Sequence, residues 1–460
     1  MLYIKLNQQD DLVLLLIFIL SKNMDLVNRR LGLEQEFFLV DEEGILSNQA
    51  DIFLTRCQEI ARSRDRPGKC FAPEFVKSIV EINTLVADNL PELTQEYLDL
   101  LQLCLQVAKE LNLRLYPLST YPLHIMPVIR DRPNYHLQVR TVGPGRFDNA
   151  AKCTGTHIHL ELPPGSVDRS VGIAYNSDPE ARAELLNMYN LLTALDTALV
   201  ALSRACPFYE GSVTGKAMRT VHYRGSEYFG WQGVYTYLQP VGGLLPYAET
   251  IEQLVEILFD RYYTWLQAMD RAGVPRSMFL NSGGELLTAG WNPLRINKQG
   301  TLELRGMDSN YPEITLALVA LVVDTAFRVR REGLKVTPKP NLKTFLWDEK
   351  ELQVPEFNCL NGELLYGAVT EGIKSSIVKD YLDSVWEFAS GAKQLSPTLN
   401  KFKTELGNYA TTETELLEKF ATTTGEISRE EGLQLVRYCC DKLEKQVEFL
   451  SQQSQNQSGK

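Results

Sequence analysis

Polar residues recur at every second position in three short stretches of this chain, within sequence of β character. The stretches are Gly32-Leu33-Glu34-Gln35-Glu36, Gly155-Thr156-His157-Ile158-His159 and Thr301-Leu302-Glu303-Leu304-Arg305. On a strand, side chains two positions apart point to the same face. The spacing therefore groups Glu34 with Glu36, His157 with His159 and Glu161, and Glu303 with Arg305. In the last two stretches the alternate positions (Ile158, Leu160, Leu162; Leu302, Leu304) are apolar and can pack on a core. A sheet with one apolar face and one face of acids, imidazoles and an arginine is expected. That is the pattern of a metal-lined active surface.

The rest of the pattern supplies the scaffold. Residues 31–40 read as a strand, with Glu42-Glu43-Gly44 as the turn after it. Strands are also predicted at Leu113–Tyr116, His136–Val142 and His157–Leu162, with strand pieces at Ser277–Leu280 and Gly300–Arg305. Glu81 and Asn83 alternate with Val80 and Ile82, again as on a strand. A helical stripe runs from Leu93 to Leu111, and long helices are predicted at about 179–205, 250–272 and 314–331. The last is apolar on almost every side, as a buried central helix should be. Pro338 and Pro340 mark a break, after which polar helices are expected at 363–372, 377–390, 413–422 and 428–451. Strands separated by long helical insertions favour an α+β fold over a doubly wound parallel sheet. The domain reading is a catalytic unit over 24–340, a helical C-terminal region over 341–451 and a disordered tail over 452–460.

The apolar run Leu12–Leu20 is too short to span a bilayer, which takes about 20 residues. Neither does it carry the flanks of a signal peptide. Met24 follows it, and the first organised strand begins near Leu31. Residues 1–23 are therefore read as a dispensable extension, the alternative being an additional strand or helix. The chain has 460 residues and a net charge of −11. Such acidity argues against nucleic acid or an anionic membrane as the main partner. Eight cysteines without a CxxC pair read as reduced thiols of a cytoplasmic protein.

Each candidate site residue has an ordinary alternative. Glu34 and Glu36 can be a solvated strand face, although the continuation Phe37-Phe38-Leu39-Val40 is apolar on both faces, as in a buried strand. His157 and His159 can be core residues. Glu303 and Arg305 can be a simple salt bridge, with Asp308 following. Arg219, in Thr214-Gly215-Lys216-Ala217-Met218-Arg219, can lie in an ordinary surface loop. Five histidines, none after His222, weigh against a zinc hydrolase. No phosphate-binding P-loop, dinucleotide fingerprint or hydrolase elbow is present. Taken together, Glu34, Glu36, Glu81, His157 and Glu303 offer an oxygen-rich ligand set. It suits Mg²⁺ or Mn²⁺, with a nucleotide triphosphate as the natural ligand.

Four strings, in order, resemble the glutamate–cysteine ligase type 2 family of carboxylate–amine ligases. They are Gly32–Glu36, Glu81–Thr84, Gly155–His159 and Thr301–Asp308, and the resemblance spans roughly residues 31–335. It implies a glutamine synthetase-like fold, an antiparallel sheet curled into a funnel around Mg²⁺ and ATP. It further implies metal ligation by Glu34, Glu36, Glu81, His157 and Glu303, and a γ-phosphate contact by Arg305. Arg219 and Lys216 are added as basic candidates for the nucleotide. The implied reaction is ADP-forming ligation of a carboxylate to an amine through an acyl phosphate, with glutamate and cysteine as the expected substrates and γ-glutamylcysteine as product. Rival readings are the same chemistry on another amino acid or amine, a metal-dependent hydrolase, and a non-catalytic binding protein. Small molecules are the only partners expected.

Overall fold

The computed structural model describes residues 29–168, 172–173, 178–391, 411–420 and 423–458. Residues 1–23 and Met24 lie outside them. Seven strands form the main sheet. They are β1 (Leu31–Asp41), β2 (Phe71–Pro73), β3 (Ile79–Asn83), β4 (Leu113–Tyr116), β5 (Gly155–Glu161), β6 (Leu294–Asn297) and β7 (Thr301–Asp308). Their order is β6-β7-β5-β1-β3-β2, with β4 beside the far half of β1, and every pairing is antiparallel.

Register does the essential work. Glu36 pairs with Glu81, and Glu34 lies between Asn83 and His157. His159 pairs with Glu303, which in turn pairs with Arg295. Direct partners in a ladder share a face, so the alternating polar residues of five strands form one continuous surface. The opposite face carries Leu33, Ile158 and Leu304 in one row and Leu31, Leu160 and Leu302 in the next, all buried. Gln35 lies on that apolar side, fully buried. Its amide nitrogen donates to the Asn310 carbonyl at 2.7 Å, and its oxygen accepts from the Tyr97 hydroxyl.

Helices α1 (Leu90–Glu110) and α2 (Pro179–Ser203) back the sheet, α3 (Ile251–Arg271) lies beside α2, and α4 (Pro312–Glu332) packs on α1 and α2. Asn89 caps α1 by accepting from the Glu92 N–H at 2.9 Å, and Pro91 sits in its first turn, where no N–H is needed. Helix α2 is buried from Leu185 onward save for Leu186 and Asn187, and α4 is buried over most of its length. Of the described helices, α2 is long and apolar enough to cross a membrane, yet 89% of its apolar window is buried inside the protein. The α+β architecture expected of a glutamine synthetase-like fold is the one observed.

Two strand predictions fail. Residues 136–142 belong to the helix Pro133–Val142, and 277–280 to the helix Arg276–Asn281. In the first, Leu137 and Val139 alternate as in a strand, but Pro133 opens a helical turn and Leu137 and Val142 pack with Phe147 and Trp265 in a separate apolar cluster. Packing overrode a short period-two signal. The break at Pro338 conceals a small sheet. Lys335–Lys339 runs parallel to Glu351–Pro355, which also pairs with Leu346–Trp347. Pro338 is tolerated because its strand is at the edge. Beyond it come helices Leu365–Thr370, Ser376–Ser390, Thr412–Phe420 and Arg429–Ser458, the last continuing into the segment whose composition suggests a tail. Their apolar residues, among them Val378, Leu416 and Cys439, join the same core as the main sheet.

Candidate active site

The polar face of the sheet forms one wall of a cavity of about 340 Å³. Glu34, Glu36, Glu74, Glu81, His157, Arg219, Arg295 and Arg305 line it. Glu303 sits beneath, fully buried. The structure thus brings together every residue selected from the sequence except Lys216, which is exposed and outside this cavity.

Three overlapping groups could each hold a cation: Glu34, Glu81 and His157; Glu34, His159 and Glu303; Glu36, Glu74 and Glu81. In each, the potential ligand atoms lie within 4.8 Å of one another. Glu34 accepts from His157 Nδ1 at 3.0 Å, and its other oxygen is 3.2 Å from His159 Nε2. Burial alone would raise the Glu34 carboxyl, but the two imidazoles outweigh it and hold the group well below the usual range. Glu36 accepts from the Gly155 N–H at 2.7 Å and lies 3.8 Å from His157 Nε2, too few contacts to offset its surroundings. Burial, then the Glu74 charge, pushes Glu36 up to about 8. Glu81 is raised well above its ordinary value by burial and by Glu34, Glu74 and Glu36. Burial and the Arg305 charge push His157 down to about 4, leaving a neutral imidazole able to ligate. His159 is opposed by burial, but Glu303 and Glu34 raise it.

The donor set fits a hard divalent cation. It consists of carboxylates with one or two imidazoles, and it crowds acids that repel one another when no cation separates them. The basic side is equally organised. Arg295 clasps Glu303 through two bonds of 2.8 and 3.0 Å, Asn297 Nδ2 donates to the same carboxylate at 2.6 Å, and Arg305 Nη1 also donates to it. These guanidinium charges overcome burial and hold Glu303 well below the carboxylate range. The β5–β7 register shifts between Leu304 and Met307, so Arg305 stands in a bulge. A bulge of this kind re-aims a side chain. The Nε atoms of Arg305 and Arg219 are buried and have no hydrogen-bond partner among the described residues. Arg219 leads into a wide π-helical turn, Thr220–Arg224, a geometry common at functional sites. Its guanidinium rests on Gly155, where a Cβ would stand only 2.3 Å from Nη2.

Two features escape the sequence reading. Arg295 and Asn297 alternate in Leu-Arg-Ile-Asn, the same period-two signal as the other strands, one turn before Thr301. The second wall of the cavity is aromatic: Phe75, Tyr135, Phe147, Tyr223, Tyr235 and Trp291. Tyr235 stacks on Trp291 with centroids 5.6 Å apart, and Phe75 meets Phe147 edge-on at 5.3 Å. These residues come from distant loops and short helices, and no local pattern joins them.

The chain is similar to known proteins in sequence and in fold. The model of glutamate–cysteine ligase family 2 matches residues 30–218. A protein of Salinispora arenicola, provisionally named glutamate–cysteine ligase 2, is 28% identical over 195 residues, 42% of this chain and 45% of its own length. A Rhodococcus jostii protein with a similar provisional name is 25% identical over 296 residues, 64% of this chain and 65% of its own. The matches thus span about half to two thirds of these relatives. The crystal structure of the Francisella tularensis glutamate–cysteine ligase in complex with AMP superposes with a TM-score of 0.57 at 12% identity, covering 94% of this chain and 93% of that one. At that identity the likeness shows a shared fold.

Proposed function

We propose that this chain is an ATP-dependent, ADP-forming carboxylate–amine ligase. The observation that carries the reading is the cavity itself, in which four carboxylates and three arginines from separate strands and loops converge above the buried Glu303. A scaffold protein needs none of them. The family match and the shared fold support the same class.

In this reading Glu34, Glu36, Glu74, Glu81, Glu303 and the imidazoles hold Mg²⁺ or Mn²⁺, which neutralises phosphoryl charge when bound. Arg305 and Arg219 have free donors to give to phosphoryl oxygens, and the planar guanidinium fork suits that task. The substrate carboxylate attacks the γ-phosphorus of ATP, giving an acyl phosphate and ADP. The amine then attacks the acyl carbon and expels phosphate, leaving an amide. The protein's part is alignment and charge neutralisation, the main sources of catalysis in phosphoryl transfer.

Glutamate, through its γ-carboxylate, and cysteine are the first substrates to test, with γ-glutamylcysteine as product. The second reading is the same chemistry on another amine, for which the ring faces of Tyr135, Tyr223, Tyr235 and Trp291 on the cavity wall are the candidate contacts. The test is ADP release from Mg-ATP and glutamate against a panel of amines that includes cysteine and aromatic amines. Amine-dependent ADP release supports the proposal. Amide hydrolysis without ATP would replace it with a hydrolase.

A further inference from the structure

The segment that delivers Arg219 to the cavity is held on one side by the Pro122 and Pro207 carbonyls and on the other by the chain beyond residue 340. Gly211 lies in the turn of a short hairpin, Phe208–Tyr209 with Ser212–Val213, and Thr214–Ala217 follows it. The Val213 N–H donates to the Gly425 carbonyl at 2.9 Å, and the Ile427 N–H to that of Gly211 at 2.8 Å. Two residues before Arg219, the Ala217 N–H donates to Val369 O at 3.0 Å.

Arg204 ties these strands of contact together. It follows the last turn of α2 and is 3% exposed. Nη1 donates to the carbonyls of Ala368, at 2.7 Å, and Val369. Nη2 donates to the Gly215 carbonyl at 2.7 Å, and Nε and Nη2 both donate to the Glu413 carboxylate. Gly372, at φ +61°, lies against the same side chain, and a Cβ there would stand 2.9 Å from Arg204 Cδ. One guanidinium therefore joins the loop leading to Arg219, the helix Leu365–Thr370 and the helix Thr412–Phe420.

A buried ion pair is a poor device for stability alone, because desolvation offsets much of the attraction and apolar packing would serve as well. What a guanidinium offers uniquely is a rigid fork of five donors, enough to fix several acceptors from separate segments at set angles. We infer that Arg204, through Glu413 and the Gly215, Ala368 and Val369 carbonyls, is a positioning residue for Arg219, and that the region beyond 340 clamps the Gly211–Arg219 loop in register with the cavity. The inference rests on the ligase reading for the role of Arg219, and on the hydrogen bonds alone for the clamp.

The experiment is a double-mutant cycle of Arg204→Lys with Arg219→Lys on the full chain, joined to hydrogen exchange of the same proteins. Arg204→Lys is expected to lower kcat/KM for ATP by about tenfold or more, since small misplacements of a catalytic group cost up to about 10²-fold. KM for the carboxylate substrate stays within about twofold. In the Arg219→Lys background the same change has little further effect, the mark of two residues acting as one. Amides of 215–219 exchange faster in Arg204→Lys, while those of 157–161 do not. If Arg204→Lys does not fold, Glu413→Gln, which preserves shape and removes charge, takes its place in the cycle. Additive effects, or unchanged exchange at 215–219, overturn the inference. Absence of amine-dependent ADP release from the wild-type protein defeats the ligase reading instead, and the exchange measurement still decides whether the clamp exists.

Discussion

Glu36 and Glu81 face each other directly across the β1–β3 ladder. Like charges so placed are destabilising, and both carboxyls are held above their ordinary range in the protein without a cation. Glu81→Gln is therefore expected to abolish turnover while raising Tm in EDTA. Mg²⁺ should raise Tm of the wild-type protein, since a ligand that binds only the folded state stabilises it, and should raise that of the variant much less. Thermal melts with and without Mg²⁺ check both. A variant less stable than wild type in EDTA, with an unchanged Mg²⁺ response, contradicts this account.

Arg305 stands in the β7 bulge, bonded to Glu303, with Nε free. Arg305→Lys keeps the charge and loses the fork. It should lower kcat by about 10²-fold or more, the order seen for removing one preorganised donor to a developing charge. Steady-state kinetics decide the matter, and near-normal kcat would make Arg305 a structural partner of Glu303.

Gly155 is glycine because the Arg219 guanidinium occupies the space a Cβ would take. Gly155→Ala must displace that guanidinium. The expected outcome is a kcat/KM for ATP lowered by about tenfold or more, with Tm close to wild type because the strand itself tolerates alanine. Equal loss for every substrate, together with a large fall in Tm, would place the defect in the sheet instead.

Asp324, on α4, has a buried Oδ2 without a hydrogen-bond partner among the described residues, and burial pushes its carboxyl up to about 8. Its folded value thus lies above the unfolded one. Stability from this group is present in full below about pH 4 and is lost as pH rises through 8. Asp324→Asn should stabilise the protein at pH 9 by about 1–3 kcal/mol, the cost of an unsatisfied buried group, and by less at pH 5. Denaturant melts at the two pH values test the sign.

Much of the site was legible because a strand writes its faces into the sequence. Glu34, Glu36, Glu81, His157, Glu303 and Arg305 each sit in a period-two pattern, and register then aligns them without further information. The same rule misled at Leu137 and Val139, where alternation occurs in a helix. It passed over Arg295 and Asn297, whose stretch carries only one repeat. Glu74 lies in the loop between β2 and β3, where no period places it on the face it joins. Lys216 shares a basic, glycine-containing stretch with Arg219, yet only Arg219 reaches the cavity, at the start of a π-helical turn that no local pattern marks. The aromatic wall and the Arg204 junction arise from long-range packing alone. The matched family region ends at 218, before the strand that supplies Glu303 and Arg305.

The central claim is activation of a carboxylate by γ-phosphoryl transfer, and isotope transfer tests it most directly. The protein is incubated with glutamate labelled with ¹⁸O in its γ-carboxylate, ATP, Mg²⁺ and the amine that gives the fastest ADP release. Phosphate and nucleotide are then analysed by mass spectrometry. The acyl phosphate route predicts one ¹⁸O per phosphate released, with ADP formed in equal amount. Formation of AMP and pyrophosphate, or unlabelled phosphate alongside amide product, would contradict it.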